Sequence, residues 1–204
     1  MLRKAKFTMV KEDGESASWR WRGGQPLSLT VEFFCPAGPD RPAGRLHRPR
    51  GVVGNRLSAL ALATGRLIDL DHRQVEVDVE LPDAGGRTRH PMTVVGPAAY
   101  LASKADALQQ RDKNKDAYDI VWLAEAWPGG QAGLASEIRQ SRVADETEFR
   151  AALETLGREF ADVDAAGAVK YARFVADQRH ELDYAAQRAV GAVRALLTAL
   201  GLRS

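Results

Sequence analysis

A chain of 204 residues with 45% hydrophobic content can bury one good core or two small ones, which excludes a wholly disordered protein. A formal charge of +2 excludes a globally basic surface, so any contact with nucleic acid must come from a local patch. A single cysteine and four scattered histidines exclude a disulfide framework and a zinc signature, and no apolar run approaches the roughly 20 residues that span a bilayer.

The N-terminal residues, Met-Leu-Arg-Lys-Ala-Lys-Phe, lack the apolar core of a secretion signal, so a cytoplasmic location is expected. The abundance of Ala, Arg, Gly and Asp is what a high-GC bacterial genome produces. Alternation and Gly-containing turns predict strands over 6–10, 18–22 and 27–34, the last carrying Glu32 among apolar neighbours. Cys35 follows Phe33-Phe34 at a strand end and reads as a small buried hydrophobe. Residues 36–50 hold four arginines (Arg41, Arg45, Arg48, Arg50) among four prolines. They predict a loop, either a solvated linker or a basic segment able to touch phosphate.

Gly51-Val-Val-Gly54-Asn lacks the Gly-Lys-Ser/Thr ending of a P-loop and reads as a turn before a helix over 55–64, closed by Gly65. Asp69-Leu70-Asp71 has the spacing of a metal-binding pair but no Gly-Ser turn before it, so it reads as a polar strand end or turn. Strands follow over 75–81 and 92–95 around Gly85-Gly86, and the sheet region ends near 96.

From Pro97 onward the period changes to 3.6, predicting helices over 97–111, 115–126, 131–140, 145–160, 165–178 and 181–200. Short connections imply antiparallel neighbours in a small bundle. The expected class is α+β, with a partial mixed-sheet region over 1–96 and a helical region over 97–204. Tyr118, Trp122 and Trp127 are expected to pack the helices against the sheet, while Tyr100 and Leu101 anchor the first helix.

Residues 97–119 combine cations and carboxylates at helical spacing. On one continuous helix, Lys104, Leu108, Arg111 and Lys115 would share a stripe suited to a polyphosphate. Such a row equally describes a solvated face, and Asn114 could instead cap a new helix with Asp116 near its positive end.

The order Pro97, Leu101, Lys104, Ala107-Leu108, Arg111, Lys115-Asp116, Asp119 resembles the last motif of the AbiEii-like nucleotidyltransferases, a toxin-type family. Trp19-Arg-Trp-Arg, Gly23-Gly24 and Leu27 to Phe34 resemble that family's strand, turn and strand leading to an acid, here Glu32, and the likeness is expected over about 15–130. The resemblance implies an incomplete nucleotidyltransferase-like sheet followed by helices. It also implies transfer of a nucleotide from a nucleoside triphosphate to an RNA or protein acceptor with Mg2+, and a cognate antitoxin as partner.

By the same resemblance, Lys104 and Arg111 bind the triphosphate, assisted by Lys115. Asp116 either accepts the acceptor's proton or orients the lysine, Asp119 supports the helix packing or hydrogen-bonds Lys115, and Glu32 is a metal ligand. The family's Gly-Ser turn and Asp-x-Asp do not precede Glu32, where Asp13 is the lone aspartate. A non-catalytic remnant that binds a nucleotide or partner is therefore the alternative.

Overall fold

The computed structural model describes residues 2–3, 6–12, 15–24, 28–48, 57–81 and 85–202. The chain divides into two compact units, Met1–Arg66 and Leu67–Ser204. Asp13, Pro49, Arg50 and the Gly51–Asn55 turn lie outside the described residues.

In the first unit, β1 (Thr8–Glu12), β2 (Glu15–Gly23) and β3 (Leu29–Glu32) form an antiparallel sheet in that order. β2 alternates, and its Trp21 is buried, with the indole N–H donating to the Ser18 carbonyl at 3.1 Å. Arg20 faces Glu32 across the β2–β3 ladder, and the two side chains form an ion pair at 2.7 Å.

A second sheet joins β4 (Phe34–Pro36), β5 (Leu46–His47) and β6 (Ala59–Leu62). β6 is central, parallel to β4 and antiparallel to β5. This corrects the helix expected over 55–64. Leu and Ala favour helix locally, but here both ladder partners claim the backbone of β6, and tertiary pairing overrides intrinsic propensity. Gly65 opens the next helix, α1 (Gly65–Leu70), rather than closing one. A Cβ there would stand 2.8 Å from the Pro36 Cα, so only glycine fits against that backbone. Part of the arginine-rich loop is tied down: Gly38 and Arg41 exchange backbone hydrogen bonds at 2.9 Å, and Gly44 N–H donates to the Ala61 carbonyl at 2.8 Å.

The second unit contains a hairpin of β7 (His72–Glu80) and β8 (Arg87–Val95), in register from His72–Val95 to Glu80–Arg87. Val75, Val77 and Val79 share its half-buried face, as a period of two requires. Six helices follow: α2 (Pro97–Gln110), α3 (Asn114–Ala126), α4 (Gly130–Gln140), α5 (Thr147–Glu159), α6 (Ala166–Val175) and α7 (Leu182–Ala199). They lie where the 3.6 period put them. Leu101, Leu108, Ile120, Leu134, Phe149 and Leu196 are fully buried in their common core. α2 packs on α3 and α5, α3 on α6, and α7 on α4 and α6.

The molecule is thus α+β, with the described strands in three small sheets and every described α-helix except the short α1 after Gly96. Two aromatic expectations need correction. Trp122 is 53% exposed, and Tyr118 packs against Tyr171 and Phe174 of α6 rather than against strands. Trp127 is half-buried against the helical core, with the Arg73 guanidinium 5.4 Å from its ring.

Candidate functional site

The helix carrying Lys104 is set in place from both ends. Pro97 starts α2 without sacrificing a backbone donor, and the Asp71 carboxylate accepts the Ala99 N–H at 2.9 Å, capping the helix from 28 residues upstream. The Asp71 carboxylate fills the space where a Cβ of Gly96 would stand, so a larger residue at 96 would displace this cap. The Asp69-Leu70-Asp71 sequence therefore ends α1 and caps α2. At the other end, Arg111 has extended backbone angles and closes α2. Lys170 of α6 donates to the terminal carbonyls of Leu108 and Arg111 at 3.3 and 3.4 Å and pairs with Asp112 at 3.4 Å.

The expected continuous stripe does not form, because the chain leaves helical geometry between Arg111 and Lys113 and folds back as α3. Lys113 is the N-cap and Asn114 the first helical residue. Asp116 and Asp119, one turn apart on α3, thereby meet Lys104 from the middle of α2. Lys104 Nζ lies 3.2 Å from Asp116 Oδ1 and 2.6 Å from Asp119 Oδ2, bridging the two. Arg111 donates to Asp116 twice, from Nε at 2.7 Å and Nη2 at 2.8 Å, and Lys115 donates to Asp119 at 2.6 Å. Leu108, the apolar member of the proposed stripe, is buried in the core.

The cluster has a definite polarity. The carboxylates of Asp116 and Asp119 retain 2% and 8% of their exposure, whereas Lys104, Arg111 and Lys115 retain 20%, 39% and 63%. Anions thus form the floor and cations the solvent side. Burial alone would push the Asp116 carboxyl up, but hydrogen bonds from Arg111 and Lys104 outweigh it and hold the group below the usual carboxylate range. For Lys104, burial opposes the charged form, yet the Asp119 hydrogen bond and charge prevail and raise its pKa. Its ammonium also lies 5.6 Å from the Tyr100 ring centroid.

A family model for nucleotidyl transferase AbiEii toxins of type IV toxin–antitoxin systems matches residues 61–194. This chain belongs to the AbiEii nucleotidyl transferase toxin family. The match covers more than half the chain and contains the whole cationic cluster. It begins later than the stretch expected from residues 15–130 and runs much further into the helices, leaving Glu32 outside it. No curated protein and no solved structure matches the chain.

Nucleotidyl transferases generally use a divalent metal. A hard cation of that kind wants several oxygen ligands at once. Among the described residues, no group of three or more His, Cys, Asp or Glu converges on one point, Glu32 is engaged by Arg20, and Asp116 and Asp119 are engaged by cations. The described residues do not fit a metal. Among the described residues, no helix is long and apolar enough to cross a membrane.

Sequence reasoning overlooked Lys170 and read Asp71 as part of a polar strand end or turn, whereas the two brace the ends of α2. Neither has a local signal, since each reaches α2 only through the tertiary fold.

Proposed function

We propose that this AbiEii-family chain binds the triphosphate of a nucleoside triphosphate at Lys104, Arg111 and Lys115 and supports nucleotide transfer to an RNA or protein acceptor. The observation carrying this reading is the layered cluster, with two buried carboxylates beneath three more exposed cations. Buried acids hold the cations in fixed geometry before any ligand arrives, which is the preorganisation electrostatic catalysis needs.

In such a transfer the acceptor hydroxyl attacks the α-phosphorus and gives up its proton to solvent, the bond to the bridging oxygen breaks, and pyrophosphate leaves with the negative charge. Lys104 and Arg111 offset that charge, Arg with a planar fork suited to phosphate oxygens. Asp116 acts as a positioning residue, because its oxygens already accept from Arg111 and Lys104 and its lowered pKa makes it a poor proton acceptor. Mg2+ carried in with the nucleotide and a cognate antitoxin belong to this proposal through the family resemblance, whereas Glu32, paired with Arg20 and outside the family match, is not retained as a metal ligand.

A second reading, binding without transfer, is favoured by the engagement of Glu32, Asp116 and Asp119 with cations. Thermal unfolding with each magnesium nucleoside triphosphate, followed by transfer of labelled nucleotide to RNA, separates the two. A ligand at 100 times its Kd stabilises the native state by about 2.7 kcal/mol. We expect a shift that Lys104→Ala abolishes. Label on RNA supports transfer, a shift with no label supports binding alone, and no shift with any nucleotide overturns both readings.

A further inference from the structure

Beyond the cations, α3 and α6 carry a line of rings that the phosphate site does not use. On α3, Lys115, Tyr118 and Trp122 follow one another by three and four residues and so share a face. On α6, Lys170 and Phe174 do the same, and the two helices pack together. Lys170 reaches the end of α2 at Arg111, so the cations sit at one end of the paired faces. The next turn carries the rings. Tyr118 meets Phe174 with centroids 4.8 Å apart and planes 38° apart, and Tyr171 stacks on Tyr118 from beneath at 6.4 Å, itself buried.

Phe174 remains 45% exposed one turn along α6 from Lys170, and Trp122 53% exposed two turns along α3 from Lys115. Neighbouring exposed aromatics forgo the gain of burial and mark a surface used for binding. One helical turn is about 5.4 Å, a step commensurate with the ribose that separates a nucleotide's base from its phosphates. Rings and guanidinium groups in that order complement a base followed by phosphate, since every base has a π-face to stack.

We propose that Phe174, supported by Tyr118, forms the base-stacking subsite for the nucleoside triphosphate whose phosphates lie on Lys104, Arg111 and Lys115. This assignment rests on the phosphate reading above and adds where the base goes. Stacking on a π-face is tolerant of sequence, so all four nucleotides should use it to some degree.

The test compares binding of the four nucleoside triphosphates with that of inorganic tripolyphosphate, which has the charge but no base, by titration calorimetry of the full chain. Phe174→Ala should weaken the nucleotides about 10-fold and leave tripolyphosphate unchanged. Phe174→Trp should retain affinity, while Phe174→Leu, which preserves the apolar contact with Tyr118, should lose as much as alanine. Nucleotide binding insensitive to all three variants, or an equal loss for tripolyphosphate, would overturn the base subsite while leaving the phosphate site standing. A wild-type chain that binds neither probe would overturn the phosphate site and the base subsite together.

Discussion

Asp116 concentrates the electrostatics of the cluster, because one nearly buried carboxylate satisfies both Arg111 and Lys104. Its folded pKa is lowered, so the stability it contributes is present above its unfolded value near about 3.9 and is lost as pH falls through the folded value. Lys104 has a raised pKa, and its contribution is present below about 10.4 and is lost as pH rises through the folded value. Asp116→Asn should cost about 2 kcal/mol at neutral pH, since it removes the buried anion to which both Arg111 and Lys104 donate and leaves Lys104 with Asp119. It should also flatten the acid limb of a stability profile measured by urea midpoints. Lys104→Met should make the alkaline limb shallower, leaving the part set by Tyr100 and Tyr171, whose pKa values burial raises. Parallel wild-type and Asp116→Asn profiles below pH 4 would show that the buried carboxylate does not set acid stability.

For the elements, the decisive unit is the α2–α3 pair. α2 depends on a cap supplied from outside itself, the Asp71 carboxylate on the Ala99 N–H. Asp71→Ala should destabilise the chain by about 1 kcal/mol and speed hydrogen exchange at the Ala99 amide, with little change in the last turn of α2. Unchanged exchange at Ala99 would mean that water replaces the cap without loss. The helices were legible because Ala-rich amphipathic segments repeat their apolar residues every three to four positions. Thus Leu101, Ala105 and Leu108 face the core, as do Ile120, Leu123 and Ala124. β6 was not legible, because Ala59 to Leu62 carries a helix former's composition and becomes a strand only when β4 and β5 pair with it.

Across the whole molecule, the family match and the helical core coincide closely in the second unit, Leu67–Ser204. Leu67, the first residue of that unit, is itself fully buried in the helical core. A fragment over 67–204 should therefore unfold cooperatively on its own in a far-ultraviolet circular dichroism melt, because it retains its complete apolar cluster. A broad, non-cooperative melt would show that this core needs residues of the first unit.

The sequence by itself determined the α+β class, the positions of the six helices and the order of residues from Pro97 to Asp119 that marks the AbiEii-type motif. Each depends on spacing along the chain, and helical period and motif order are properties of spacing. Only the tertiary structure decided that Arg111 ends one helix and that Asp116 and Asp119 return beneath Lys104 on the next. The same holds for Lys170 bracing α2 from α6 and for Trp122 and Phe174 remaining in water. A residue's charge is written in its side chain, but its burial and its partner depend on which segment folds against it. That is why the cations and the aspartates beside them could be read in advance, and which of them would be buried could not.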